Sequence, residues 1–477
     1  MEKKIIIGRK YEQQQLQDSY QSSGSDLIAV TGRRRIGKTY LVRSYFHGRM
    51  DFELSGILNG DLKEQLQNFD FILRSRERKT SKRKAPETWL EAFQQLSKHL
   101  DSARNNKKHV IFIDEFPWLD THKSNFLGAF DWFWNNWASQ KNIIVIICGS
   151  AASWMVRKVI NNRGGLHNRV SKRIHLDPFT LEETEAFFRS RNIELNRYQI
   201  ATLYMAIGGV PHYLKEITKG ESAMQAIHRI CFDKKGLLVN EFDNLYASLF
   251  HNAANHIAVV KALAKKRKGL GRSGVLLESK LKDGGTFSAV LDELELSGFI
   301  ESYLPFGKLK KDKLYRLTDE FSLFYLTFMH RKKNVNWEQL SAGPVWKSWS
   351  GYTFESLCMK HLPQVKQALG ISSVYTEYSS FISKGTSESD GTQIDLLIDR
   401  KDQVINLCEM KFSEHPFIMT KAYAANIRHK MAVFKNETKT KKAIFPTIIS
   451  SFGIVKNEHS VGLIQQQVQL DDLFQAK

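Results

Sequence analysis

The stretch Ile28-Ala29-Val30-Thr31-Gly32-Arg33-Arg34-Arg35-Ile36-Gly37-Lys38-Thr39 decides the fold. A short apolar run is followed by G-x-x-x-x-G-K-T and then by a helical pattern, Tyr40-Leu41-Val42-Arg43-Ser44-Tyr45-Phe46. The apolar run reads as a buried strand. The glycines let the chain turn so that successive backbone N–H groups of residues 32–40 face one point. Lys38 adds a positive charge there, the Thr39 hydroxyl is placed to reach Mg²⁺, and the helix N-terminus adds its dipole. Strand, loop and helix fall in the order that a phosphate cradle requires, so a nucleoside triphosphate, ATP, with Mg²⁺ is the expected ligand.

Outward from this stretch, the chain has 477 residues, enough for two to four domains. A net charge of +20 favours contact with a polyanion. No apolar run approaches the ~20 residues of a spanning helix, so no membrane partner is expected. Met1-Glu2-Lys3-Lys4 is followed by only three isoleucines, which is not a signal peptide. Cys148, Cys231, Cys358 and Cys408 are scattered and read as reduced core residues of a cytoplasmic protein. Ile5-Ile6-Ile7 reads as an N-terminal strand leading into a polar helix. Arg74 to Lys84 carries seven basic residues and one acidic, a solvated loop with some capacity to touch phosphates.

Val110-Ile111-Phe112-Ile113-Asp114-Glu115 is a second buried parallel strand, with two acids at its C-terminal tip. Ligands of an open α/β sheet bind outside that edge. Asp114 is placed to serve the Mg²⁺ shell, and Glu115 to polarise a water for attack on the γ-phosphate. The strand through Cys148 ends in Gly149-Ser150, where Ser150 is placed to sense that phosphate. In Leu166-His167-Asn168-Arg169, Arg169 offers a cation to neutralise transition-state charge. Asp131 to Trp137 is rich in aromatics at helical spacing, which reads as core packing rather than a nucleobase platform.

Taken together, these segments resemble the archaeal-type ATPases of the AAA+/STAND group. The resemblance rests on Gly8-Arg9 with Glu12, Gly32 to Thr39, Asp114-Glu115 followed by Phe116-Pro117-Trp118, Gly149-Ser150, Arg169, and Gly208-Gly209-Val210-Pro211-His212-Tyr213-Leu214. It implies a P-loop NTPase fold (a parallel sheet with flanking helices) over residues 1–180, Gly8 and Arg9 near the nucleotide, and a helical lid over 181–250. Leu166 to Arg169 stands where a P-L-x-x-R type segment is usual.

Residues 251–335 read as three helices and a two-stranded wing, a winged helix-turn-helix. The third helix carries Asp292, Glu293 and Glu295, which phosphates repel. The basic residues lie around it: Lys265 to Lys268, Lys280, Lys282 and Lys308 to Lys311. Any DNA contact here is therefore expected to be with the backbone. His251 and His256 are five residues apart and share no helix face, which argues against a metal pair.

In residues 336–477, Gln393 to Asp399 and Val404 to Lys411 read as a strand pair. Glu409 and Lys411 point to one face, Asp395 starts the neighbouring strand, and Glu355 comes from the preceding helix. Glu355, Asp395 and Glu409 then make a hard-oxygen Mg²⁺ site with a lysine beside it, the chemistry that phosphodiester hydrolysis needs. D-x(13)-E-x-K resembles the restriction-endonuclease-like PD-(D/E)xK fold. That likeness implies Asp395 and Glu409 as metal ligands for Mg²⁺ or Mn²⁺, Lys411 as the catalytic lysine and Glu355 as an accessory acid. Gly385 to Gly391 reads as a flexible loop before the strand. Two functions are expected of such a chain: an ATPase that regulates or processes DNA with a nuclease domain, or an ATP-switched signalling scaffold that binds DNA, a protein partner or itself without cutting.

Overall fold

Asp26–Thr31 forms strand β1, and all but its first residue are buried. The computed structural model describes residues 5–77, 83–102, 107–161, 166, 168–266, 268–330, 337–383 and 391–476. The chain divides into two compact units, Met1–Pro178 and Phe179–Lys477.

In the first unit, α1 (Lys10–Gln21), β1, α2 (Lys38–Tyr45), β2 (Phe52–Ser55), α3 (Leu62–Arg76), α4 (Trp89–Ser102), β3 (His109–Asp114), α5 (Phe126–Asn136), β4 (Ile143–Cys148), α6 (Ala152–Met155) and β5 (Lys172–His175) follow in order. The strands lie in the order β2-β3-β4-β1-β5, and every neighbour is parallel. This explains why β1, β3 and β4 are runs of Ile, Val and Phe: helices cover both faces, so no alternation with polar residues survives. One apolar layer joins Phe69, Trp89, Phe93, Phe126, Phe130 and Phe133 to one face of the sheet. The aromatics of α5 are thus core, as expected. Trp137 stacks on Phe133 with ring centroids 5.4 Å apart and gives its indole N–H to Asp101.

Ile5 to Ile7 form no strand, a correction to the sequence expectation: Ile5 is 77% exposed and has no strand neighbour to pair with. Of the basic run from Arg74 to Lys84, residues 78–82 lie outside the described residues. At its ends Arg74 and Arg83 both pair with Asp70, and Arg83 also with Glu77.

The second unit begins with five helices, α7 (Leu181–Ser190), α8 (Arg197–Ile207), α9 (Pro211–Leu214), α10 (Ala223–Cys231) and α11 (Glu241–Leu249). Capping boxes start α7 at Thr180 and α10 at Ser222. The Gly208 to Leu214 segment is tight for a steric reason: a Cβ at Gly209 would lie 2.0 Å from the carbonyl oxygen of Phe179. Next come α12 (Ala253–Lys265), β6 (Leu270–Gly271), α13 (Arg272–Ser279), α14 (Gly285–Leu296), β7 (Ile300–Tyr303) and β8 (Leu314–Leu317). The expected three helices and hairpin are present, and the short β6 adds a third antiparallel strand in the order β6-β8-β7. Arg267 lies outside the described residues.

Helices α15 (Glu320–Phe324), α16 (Trp337–Ala342), α17 (Pro344–Lys360) and α18 (Leu362–Ala368) lead to a second sheet. Its strands are β9 (Thr376–Ser383), β10 (Thr392–Arg400), β11 (Val404–Lys411), β12 (Ala443–Ser450) and β13 (Gln466–Gln469), with α19 (Lys421–Thr438) between β11 and β12. The order is β13-β12-β11-β10-β9. β9, β10 and β11 are antiparallel, whereas β11, β12 and β13 are parallel, as the crossover through α19 requires. Of the expected flexible loop before β10, residues 385–390 lie outside the described residues. A single apolar core runs from Phe179 through Tyr213, Leu263, Phe324 and Trp349 to Phe474, so the five N-terminal helices of this unit are packed as part of the same body as its sheet.

Candidate nucleotide site and carboxylate cleft

The phosphate loop leaves the C-terminal end of β1. Gly32 has φ +134°, and a Cβ there would lie 2.4 Å from the carbonyl oxygen of Leu176, so only glycine fits. Arg35 and Gly37 also take positive φ, 72° and 93°, and the turn delivers Lys38 to the first position of α2. The Lys38 ammonium is buried and donates to the carbonyl oxygens of Gly32 (2.9 Å) and Arg33 (2.8 Å). It is thereby held inside the loop, at the helix N-terminus where an anion is best stabilised.

Because the strands are parallel, β1, β3 and β4 all end at this edge. The Thr39 hydroxyl donates to Asp114 Oδ2 at 2.7 Å, and Asp114 Oδ1 accepts from the Glu115 N–H at 3.0 Å. Glu115 takes a left-handed conformation, φ 47°. Its Oε2 accepts from the Ser150 hydroxyl (2.9 Å) and the Ser150 N–H (3.3 Å). Lys38, Thr39, Asp114, Glu115 and Ser150 therefore converge as the sequence spacing anticipates. A hydroxyl and a carboxylate in direct contact are hard-oxygen donors of the kind that Mg²⁺ takes beside phosphate oxygens, so this pair fits the ion. Beneath them the Cys148 thiol is pushed well up, first by burial and then by the Asp114 charge.

Three expected residues occupy other roles. Arg9 is buried, and its guanidinium donates to the carbonyl oxygens of Asp177 (2.7 Å) and Ile36 (3.5 Å), so with Gly8 it braces the phosphate loop from behind. Tyr40 is 45% exposed and donates its hydroxyl to the carbonyl of Ile5 at 3.0 Å. Arg169 lies elsewhere. It precedes β5, whose Lys172 pairs with Ile28, and the intervening Ser171 N–H bonds to Leu27 O, so Arg169 sits at the end of the sheet opposite the phosphate loop and is exposed. The length of a strand separates it from Lys38 of its own chain. His167, beside it, lies outside the described residues.

The second site is a cleft of about 1010 Å³ in the second unit. The register Leu396↔Cys408 sets Asp395 opposite Glu409 on antiparallel strands, and the β9–β10 register shifts between Ile394 and Leu397, so a bulge falls at Asp395. Bulges re-aim side chains in this way beside functional sites. Glu355 lines the same cleft from α17. Burial, then the Asp395 charge, pushes the Glu355 carboxyl up to about 8, and burial followed by the Glu409 charge raises Asp395. Asp395 Oδ1 accepts from Gln393 Nε2 at 2.5 Å. Glu409 accepts from the Tyr423 hydroxyl at 2.8 Å and from the Lys430 ammonium. The Lys411 ammonium lies 4.7 Å over the Tyr423 ring, and that phenol is raised by burial and by Glu409.

The expected three-carboxylate metal set is not formed. Among the described residues no three His, Cys, Asp or Glu side chains converge closely enough to hold an ion. Glu409 is instead engaged by Tyr423 and Lys430 of α19. Asp395 and Glu409 remain a facing pair, and one or two carboxylates with substrate phosphates suffice for Mg²⁺. Tyr423 and Lys430 were not anticipated from the sequence, although seven residues apart they share one face of a helix. Helix α14 likewise engages two of its acids: Glu293 bonds to His256 Nε2 at 2.8 Å, and Glu295 bonds to the Ser302 N–H at 3.1 Å and pairs with Lys313 at 3.5 Å.

The five-stranded parallel sheet with its phosphate loop, threonine and acid pair defines a P-loop ATPase. Residues 7–217 match the model of an ATPase domain predominantly from Archaea, so the chain carries an ATPase domain of the archaeal type. An uncharacterized protein of Methanocaldococcus jannaschii is 23% identical over 421 residues, 86% of this chain and 88% of that protein. Among solved structures, the Walker-type ATPase PABY2304 of Pyrococcus abyssi is 19% identical, with 67% of this chain and 96% of that one covered and a TM-score of 0.49. The ORC2 protein of Aeropyrum pernix is 13% identical, with 68% and 95% covered and a TM-score of 0.43.

Proposed function

We propose that the protein binds and hydrolyses ATP in its first unit and uses that cycle to control a DNA-directed cleft in its second. The contact between Thr39 and Asp114, beside Lys38 in the loop, carries the first half. Mg²⁺, when bound with ATP, would neutralise charge on the phosphate oxygens. The chain's own residues do the rest. Loop N–H groups and Lys38 hold the β- and γ-phosphates, and Thr39 and Asp114 fix the cation side. Glu115 orients the attacking water, and Ser150 holds Glu115 in place until the γ-phosphate arrives. Arg169 acts on a neighbouring copy of the chain, which makes self-association part of the cycle.

In the second unit we read residues 181–250 as the lid, 251–335 as a winged helix and 336–477 as a nuclease-like domain of a cytoplasmic protein. Asp395 and Glu409 would hold Mg²⁺ or Mn²⁺ there, a cation that supplies charge to a leaving oxyanion. Lys411 stays close to the attacked phosphate, and Glu355, a proton carrier by its burial, lines the same cleft. A second reading keeps the ATP switch and removes the cleavage, so that the cleft binds DNA or a protein. It is favoured by the engagement of Glu409 with Tyr423 and Lys430.

Two experiments test these readings. Lys38→Ala is expected to abolish ATP binding, and ATP binding retained at wild-type strength would refute the ATPase site. Asp395→Ala and Glu409→Ala are expected to abolish Mg²⁺-dependent DNA cleavage. Cleavage unchanged in both variants would refute this cleavage site, and no cleavage by the wild type would leave the non-cleaving switch.

A further inference from the structure

The carboxylate cleft has a wall that its own domain does not supply. Lys268, Tyr303 and Arg316 line it from the three-helix, three-strand segment, in the same cleft as Asp395 and Glu409. Their position is built. The Phe306 N–H donates to Ser380 O at 2.7 Å, the Phe306 ring meets Phe434 with centroids 5.1 Å apart, and Arg316 Nη1 donates to Met359 Sδ at 2.7 Å. The Tyr303 hydroxyl donates to the carbonyl of Lys268 at 2.6 Å, which fixes the backbone at that lysine.

Arg316 lies 5.1 Å over the Tyr303 ring and pairs with Glu301 at 2.9 Å, yet its buried Nε–H has no partner among the described residues. The charge of Lys268 reaches Asp395 across the cleft. Altogether five cations, Lys268, Arg316, Lys347, Lys411 and Lys430, face three carboxylates in the cleft. Polyanion recognition requires such an excess, and a carboxylate site alone would repel its substrate. The face normally offered to DNA by three helices of this kind is the third helix. Here Glu293 and Glu295 of α14 are spent on internal contacts, and Asp292 is exposed on it. The cationic side of the segment is therefore its sheet, through Arg316 on β8 and Tyr303 on β7, together with Lys268 just before β6.

We propose that this wall and the carboxylate floor form one binding site for a single strand of DNA, in which Lys268 and Arg316 hold backbone phosphates flanking the nucleotide presented to Asp395 and Glu409. A cleft of about 1010 Å³ is on the scale of a ligand pocket and takes a few nucleotides of one strand. Tyr303 positions the Arg316 guanidinium and is not itself a contact. The proposal rests on reading the cleft as DNA-directed, and it adds the strand state of the substrate and the residues that grip it.

The test is fluorescence anisotropy of the full-length protein with a labelled single-stranded oligonucleotide and with a hairpin duplex of the same sequence, in EDTA over a range of salt. The wild type is expected to bind the single strand more tightly. Lys268→Gln and Arg316→Gln should each weaken that binding about fivefold or more and lower the salt slope by about 0.7, the contribution of one phosphate contact on a single strand. Wild-type affinity and slope in both variants, or tighter binding of the duplex, would overturn the proposal. Arg316 packs on Met359, so if Arg316→Gln melts early, Lys268→Gln and Lys347→Gln carry the test. Glu409-dependent cutting by a wild type whose Lys268 and Arg316 variants bind unchanged would discard this wall and keep the cleft. A wild type that binds no DNA would discard both.

Discussion

Individual residues carry the sharpest consequences. Gly32→Ala places a Cβ 2.4 Å from a backbone carbonyl at φ +134°, and neither can yield cheaply. We expect it to abolish ATP binding in an equilibrium nucleotide-binding assay, with the overall far-UV spectrum kept. Glu115→Gln keeps the size of the side chain that Ser150 contacts and removes its basicity. ATP affinity should be retained while turnover falls about 10²-fold or more. Glu355 gives a pH signature. Its folded value of about 8 stands above the usual 4.5. The stabilisation it provides is therefore complete below about 4.5 and is lost as the pH rises through 8, because the native state must then release a proton the unfolded state has already lost. In EDTA the protein should melt lower at about pH 9 than at about pH 6, and Glu355→Gln should shrink that difference. Asp395, raised in the same direction, contributes the remainder. At this scale the nucleotide site was legible because its residues are either consecutive or at strand ends that parallel pairing brings to one edge. The place of Arg169 was not legible, because a motif does not state which end of the sheet its residue occupies. Tyr423 and Lys430 went unseen because they act through a tertiary contact.

At the scale of elements, the unit of interest is α8 against the end of β11. Tyr198 stacks on Phe412 at 4.6 Å and nearly parallel, and Phe412 meets Phe354 of α17 at 5.3 Å. Phe412 follows Lys411, and Phe354 precedes Glu355. The stack therefore fixes both sides of the cleft against the helices expected to form the lid. Phe412→Ala should cost about 3 kcal/mol of stability, read from denaturant unfolding of the full chain. Glu293→Ala should cost about 1–3 kcal/mol by stranding the buried His256, without weakening DNA binding. The strands β10 and β11 could be read from their apolar alternation. Their neighbour β9 could not, because its Thr376-Glu377-Tyr378-Ser379 half is polar and half exposed, a pattern set by its place at the sheet edge. Strand β6 is only two residues long and has no periodicity to find.

For the whole molecule, the phosphate loop belongs to the first unit and the carboxylate cleft to the second, and the helices expected to close on nucleotide share the core of the second. Among the described residues no helix is long and apolar enough to cross a membrane. A nucleotide-dependent movement of those helices would carry the cleft with it as one body, since moving them separately means opening a continuous apolar core. The phosphate loop and the β10–β11 strand pair were legible from their motifs, whereas that shared core depends on which apolar residues meet across long sequence separations. The central claim is that ATP at Lys38 governs chemistry at Glu409. Its most direct measurement is cleavage of a labelled single-stranded oligonucleotide with Mg²⁺, with and without ATP, by the wild type, Lys38→Ala and Glu409→Ala. The account predicts that ATP changes the wild-type rate, that Lys38→Ala cuts at a rate indifferent to ATP, and that Glu409→Ala does not cut. Wild-type cleavage that ignores ATP, or cleavage that survives in Glu409→Ala, would contradict it.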